Sequence, residues 1–275
     1  MQGSIAQVVA LTAHGNSILQ HGWDSRGVDF YPLNSTFKFC ESVTFVDVVS
    51  RFFKKQEQTY AIDPGDWYKQ LGREGVYRIR MSYGLSGQTI SPDRMLVGFV
   101  GGGGKWLIET DRPDRTDSWE PRWQLGNRES ADKKIWRVVY ARILNTKPSS
   151  AHQLEDLERL KIELKSALED ISQLSRSQNL DWFTKAFESG LARLESQMPL
   201  EGTYHSDLAP AGSLPLSADQ LLGSAQAAWV FGGMGSWNDQ GFDGPTQAHY
   251  EEVSERLYQL LNRVIVAATN SGVSR

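Results

Sequence analysis

The sequence predicts an α+β protein in which an N-terminal antiparallel β-sheet or small barrel precedes a C-terminal helical bundle of about four helices. Two observations carry this expectation. Up to about residue 144, short runs rich in Val, Ile, Thr, Phe, Tyr and Trp are broken by Gly, Pro, Asn and Asp, the pattern of strands and turns. Beyond residue 150, Leu and Ile recur at helical spacing among Glu, Lys and Asp. The change of pattern near 145–150 predicts a β-rich domain over 1–147 and a helical domain over 148–275.

Taken in order, residues 5–12 and 36–49 read as strands, although 46–55 also fits the start of a helix. Residues 75–83 set Val76, Ile79 and Met81 against Arg78 and Arg80, and 135–144 set Trp136, Val138 and Tyr140 against Arg137 and Arg142. Such alternation implies one buried and one wetter face. Residues 95–100 and 105–110 flank the glycines of GGGGK and suggest a hairpin with a flexible tip. Ser150 with Gln153 forms a capping box. Leu154, Leu157, Leu164, Leu168 and Ile171 then make a seam interrupted by Lys161. Asn179 is placed to cap a second helix carrying Trp182, Phe183, Phe187, Leu191 and Leu194, which completes an αα-hairpin. A Pro- and Gly-containing connector spans 197–216. Ser217 with Gln220 opens a third helix, and a fourth follows Pro245 with a stripe from Tyr250 to Ala268 and a stop at Asn270 and Gly272.

Composition bounds the functional classes. The chain has 275 residues, 40% of them hydrophobic, and nine Trp, enough for a large core. The net charge of −4 and a pI near 5.8 argue against a generic nucleic-acid binder. The charge is unevenly spread: residues 1–148 hold 20 Lys/Arg against 16 Asp/Glu, and the remainder hold 9 against 17. One cysteine, Cys40, excludes an internal disulfide, and the first residues lack the basic start and apolar core of a signal peptide, so a cytoplasmic location is expected. No apolar run reaches the ~20 residues that cross a bilayer.

The segment with most functional potential is 231–244, FGGMGSWNDQGFDG, where five glycines surround Trp237, Asn238, Asp239, Phe242 and Asp243. It fits no dinucleotide, calcium-repeat or EF-hand frame. Trp237, Asn238, Asp239 and Phe242 are its candidate binding residues; structurally, Gly232 or Gly233 could end one helix while Trp237 and Phe242 pin a turn between antiparallel helices. GGGGK lacks the spacing and Ser/Thr of a phosphate loop. Asp111, Asp114 and Asp117, interleaved with Arg112 and Arg115, read as a solvated, self-compensating loop rather than a cation site. The five histidines show no zinc spacing, no nucleophile elbow exists, and Tyr204-His205-Ser206-Asp207 reads as a loop.

The function expected from these features is a non-catalytic binding or assembly protein that uses the 231–244 loop to hold a protein partner or a second copy of itself. One alternative is an enzyme acting on a small anionic metabolite or nucleotide between the two halves, with Asp239 or Asp243 as acid, base or metal ligand and Arg78 or Arg80 orienting the substrate. A second alternative is nucleic-acid binding through the basic, Trp-containing sheet face. No cofactor or metal is indicated by any motif.

Overall fold

The first element is a helix where the sequence suggested a strand. A computed structural model of the chain describes residues 1–22, 29–51, 54–85, 91–99, 102–144 and 155–272, and in it α1 spans Gly3–His21. Every residue from Ile5 to Ala13 is buried. An apolar run of this kind has no diagnostic period, and length decides: the pattern continues for five turns, too far for an ordinary strand. Buried polar groups on α1 are tied down, as where Gln7 Nε2 donates to the Thr36 carbonyl (3.2 Å) and Gln7 Oε1 accepts from the Tyr140 hydroxyl (3.0 Å).

Six strands follow: β1 (Cys40–Arg51), β2 (Lys54–Ala61), β3 (Arg78–Gly84), β4 (Lys105–Asp111), β5 (Thr116–Leu125) and β6 (Trp136–Ile143). They form one sheet in the order β2-β1-β6-β5-β4-β3. The expectation of an antiparallel sheet or small barrel needs correction, because β1 and β6 run parallel and the sheet is open, with β2 and β3 at its edges. The parallel pair arises because the meander β3-β4-β5-β6 returns beside β1, whose other side the β2 hairpin already fills. Strand alternation turns Val43, Phe45, Ile79, Met81, Ile108, Trp119, Val138 and Tyr140 inward, and all are buried. A helix not foreseen, α2 (Pro64–Arg73), covers part of this face. Asp63 caps it by accepting from the Asp66 N–H at 2.7 Å. Its Trp67 stacks on Phe45 (4.3 Å between ring centres), which stacks in turn on Tyr140 (5.2 Å).

The predicted hairpin around GGGGK is also corrected. Met95 and Leu96 belong to a single-turn helix, α3 (Asp93–Leu96), and β4 pairs with β3 and β5 instead. Nor is the 111–117 segment a solvated loop throughout: Asp111 ends β4, Asp117 lies in β5, and both are buried. Neighbouring strands supply their counter-charges. Arg80 grips Asp111 with two hydrogen bonds (2.7 and 2.9 Å), and Arg142 reaches Asp117 (2.9 Å) and Glu74 (2.8 Å).

The helical half contains α4 (Leu157–Ser177), α5 (Asp181–Leu194), α6 (Leu216–Ala228) and α7 (Gly244–Asn270), which pack against one another. Asp156 caps α4 by accepting from the Glu158 and Arg159 N–H groups. The predicted capping box at Ser150 and the boundary at 147/148 lie outside the described residues. Asn179 adopts a left-handed conformation (φ 56°) in the turn between α4 and α5 rather than capping the second helix. One continuous set of buried apolar side chains runs from the sheet through α1 into these helices. No helix among the described residues is long and apolar enough to cross a membrane.

The edge strand β3 is sealed by two asparagines. Asn16 of α1 accepts from the Ile79 N–H (2.8 Å) and donates to the Ile79 carbonyl (2.7 Å). Asn270 of α7 does the same for Met81 (2.8 and 2.9 Å). Each carboxamide thus imitates one residue of a missing neighbouring strand. Replacing Asn16 or Asn270 with Ala leaves two backbone groups unpaired in a buried setting, and each variant is expected to lose about 2–4 kcal/mol in chemical denaturation and to aggregate more readily. Losses under about 0.5 kcal/mol in both would show that the edge needs no such closure.

Candidate functional site

At the start of β4, the end of β5 and the start of β6, the inward face of the sheet extends beyond the cover of α1. Trp106, Trp123 and Trp136 stand there, each on the same strand face as the buried Ile108, Trp119 and Val138 respectively. They form the floor of a cleft of about 590 Å³. Trp123 meets Trp136 edge-on at 6.0 Å, and Tyr83 supports Trp106 at 4.5 Å. The walls are the first turn of α1, at Gln2, Gly3 and Ser4, and the segment around Val97, Gly98, Phe99, Gly102 and Gly104. Lys105, Glu120 and Arg122 also border the cleft, though strand alternation directs their side chains to the opposite face of the sheet. Lys105 pairs with Glu120 (3.2 Å) yet is 64% exposed, and Arg122 pairs with Glu57.

The irregular wall is held by side chains from elsewhere in the fold. Its carbonyls at Arg94, Val97 and Gly103 accept from Asn238 Nδ2 (2.7 Å), Gln2 Nε2 (2.6 Å) and the hydroxyls of both Tyr83 (3.1 Å) and Tyr258 (2.7 Å). These contacts tie the described residues of the wall, 93–99 and 102–104, to the 231–244 loop, the start of α1, β3 and α7. Gly98 is required by contact, since a Cβ there would lie 2.7 Å from the Gly232 carbonyl oxygen.

The residues singled out from sequence do not converge on one site. Trp237 is fully buried, with its Nε1 donating to Ser254 Oγ (2.7 Å) and its ring edge-on to Phe183 and Phe187. Asn238 is buried against Arg94. Asp239 is exposed and accepts from the Gly235 N–H, Phe242 is half-buried against Tyr250, and Asp243 is exposed at the start of α7. Arg78 and Arg80 lie at the opposite end of β3 and β4 from the cleft, both bound to Asp111. Burial opposes the charge of Asp111, but hydrogen bonds from Arg80, Thr116 and Arg78 outweigh it and hold the carboxyl at about 2. The cleft itself was only partly visible in the sequence. Trp123 and Trp136 stand beside basic residues in the sequence, whereas the signal of Trp106 is its place two residues before Ile108.

Two other features that suggest chemistry, Cys40 and the Ser35–His205–Asp207 cluster, are held in structural contacts. Cys40 is buried, and burial pushes its thiol up to about 11. No group of acidic, His and Cys side chains among the described residues could hold a metal ion. The connector brings His205 and Asp207 to Ser35, yet both bind the serine and not each other. Ser35 Oγ donates to Asp207 Oδ1, so the His205 Nδ1–H donates to Ser35 Oγ at 2.8 Å. A histidine that donates to the serine cannot take its proton, so this is a latch between the connector and the 29–37 segment rather than a triad. His14 joins it, stacked on Phe30 and donating to the Asp207 carbonyl at 3.1 Å.

Burial pushes both His14 and His205 down to about 4, with Asp207 only partly offsetting it. The unfolded chain therefore takes up these protons near pH 6.5 and the native state only near 4. The stability each neutral histidine provides is full above pH 6.5 and falls by roughly 2–3 kcal/mol as pH drops from 6.5 to 4. Asp219, which burial raises to about 6, works the other way. The histidine contribution is read by comparison with His14→Gln and His205→Asn, which keep the hydrogen-bonding nitrogen in place: the double variant should lose markedly less stability over this range, and equal losses would refute the assignment.

No protein-family model matches the chain, and neither a curated protein nor a solved structure matches it.

Proposed function

We propose that the protein is a non-catalytic binding protein whose tryptophan-floored cleft takes a flat, largely apolar ligand. The observation that carries this is the floor of Trp106, Trp123 and Trp136 in a cleft of about 590 Å³, within the size range of small-molecule sites. Flat rings stack on such side chains for about 1–3 kcal/mol each. Among the described residues, the lining has one carboxylate, Glu120, and no His, Cys or Asp. This supports binding over the enzymatic alternative, whose residues Asp239, Asp243, Arg78 and Arg80 are not among the lining.

A small ligand in the cleft thus takes the place of the protein partner expected from sequence at the 231–244 loop. A nucleic-acid surface is disfavoured by the pairing of the basic residues on the sheet: Arg137 with Glu41, Arg122 with Glu57, Arg142 with Asp117 and Glu74, and Arg80 with Asp111. Counter-ion release needs cations not already neutralised by the protein.

8-Anilinonaphthalene-1-sulfonate is flat, apolar and anionic and serves as the probe. Saturable one-to-one binding is expected by fluorescence and calorimetry, with Trp123→Ala or Trp136→Ala weakening it about tenfold. Binding that ignores the tryptophan substitutions, or no saturable binding by the folded wild type, would overturn the proposal.

A further inference from the structure

The 231–244 loop contributes no side chain to the cleft, yet it touches the cleft wall in two places. Asn238 Nδ2 donates to the Arg94 carbonyl (2.7 Å) and more weakly to the Gly232 carbonyl (3.4 Å), so one carboxamide ties the wall to the loop. Four residues along the wall, Gly98 packs on Gly232 and Gly233 so closely that neither backbone can shift toward the other; a Cβ on Gly98 would lie 2.6 Å from the Gly233 nitrogen. The loop is itself anchored to the helices. Trp237 fills the core beside Phe183 and Phe187, its carbonyl accepts from the Tyr250 hydroxyl (2.8 Å), and its indole N–H is taken by Ser254.

Arg94 fastens the wall from the other side. Its side chain is 1% exposed, lies over the Tyr250 ring and is paired with Glu251 and Glu255 of α7. A buried guanidinium cannot leave such partners without exposing its charge to an apolar setting, so α3 moves with α7. We infer that Asn238 and Arg94 are positioning residues for the cleft, setting the distance between its glycine-rich wall and its tryptophan floor through the 231–244 loop. The inference rests on the cleft being the binding site.

The test compares Asn238→Ala and Gly98→Ala with Leu164→Ala, a truncation in the buried core of α4 that destabilises the helices without touching the wall. All are measured well below their melting midpoints with 8-anilinonaphthalene-1-sulfonate. Asn238→Ala and Gly98→Ala are expected to weaken the probe about fivefold, while Leu164→Ala stays within about twofold of wild type. Amide hydrogen exchange over 93–99 should quicken in Asn238→Ala and not in Leu164→Ala. Unchanged exchange over 93–99 overturns the inference whatever the probe does, as does unchanged probe affinity in Asn238→Ala when Trp123→Ala weakens it. Quickened exchange with a probe indifferent to Trp123→Ala overturns the cleft as binding site and leaves the positioning contact standing.

Discussion

A helix with no polar face has to be covered on every side, and α1 sets that requirement for the whole chain. β3, β4, α2 and α7 all pack on it. The approach is close enough to demand glycine at position 15, where a Cβ would come within 2.6 Å of Ile79 and Tyr68. Covering α1 is what draws the sheet and the C-terminal helices into one continuous core, because neither layer alone can bury nine consecutive residues. The cleft follows from the same geometry: α1 begins before the strands end, and the aromatic residues beyond its first turn lose their cover while keeping their inward orientation.

The second organising feature is the disposition of charge within the sheet. A count of Lys and Arg makes the N-terminal half look like a basic surface, but Arg80, Arg142, Asp111 and Asp117 are buried and matched across strands. Arg142 also lies over the faces of Tyr60 and Trp119, at 5.0 and 5.4 Å. Removing one member of such a set strands a charge where water cannot reach it, so these residues fix strand register more than they attract partners. Formal charge read from composition therefore overstated what a ligand in solution would meet.

Much of the fold was legible where periodicity had a clean partner. The stripe from Tyr250 to Ala268, the seam of α4 and the alternation of β6 follow directly from one face being buried. The failures have physical causes. α1 carries a uniform apolar run in which period 2 and period 3.6 cannot be told apart. Residues 64–73 hold Pro64 and Gly65 in their first turn, where both are tolerated at a helix start but read as a loop. The parallel pairing of β1 and β6 is a property of chain path, which no local pattern encodes. The cleft was harder still, because Trp106, Trp123 and Trp136 come from three strands and are joined only by strand order, while the glycine that the loop's close approach to the wall requires, Gly98, lies outside the loop.

The closure of β3 by asparagines has a consequence for biosynthesis. Met81 and the residue that seals it are separated by 189 positions. At ribosomal rates of about 5–20 residues per second, the strand emerges roughly 10–40 seconds before Asn270 has been made. Through that interval the nascent chain presents half of an unpaired strand edge, a surface that trigger-type chaperones and neighbouring nascent chains can reach. The pace at which the last helix leaves the ribosome thus governs how long the protein is exposed to mispairing.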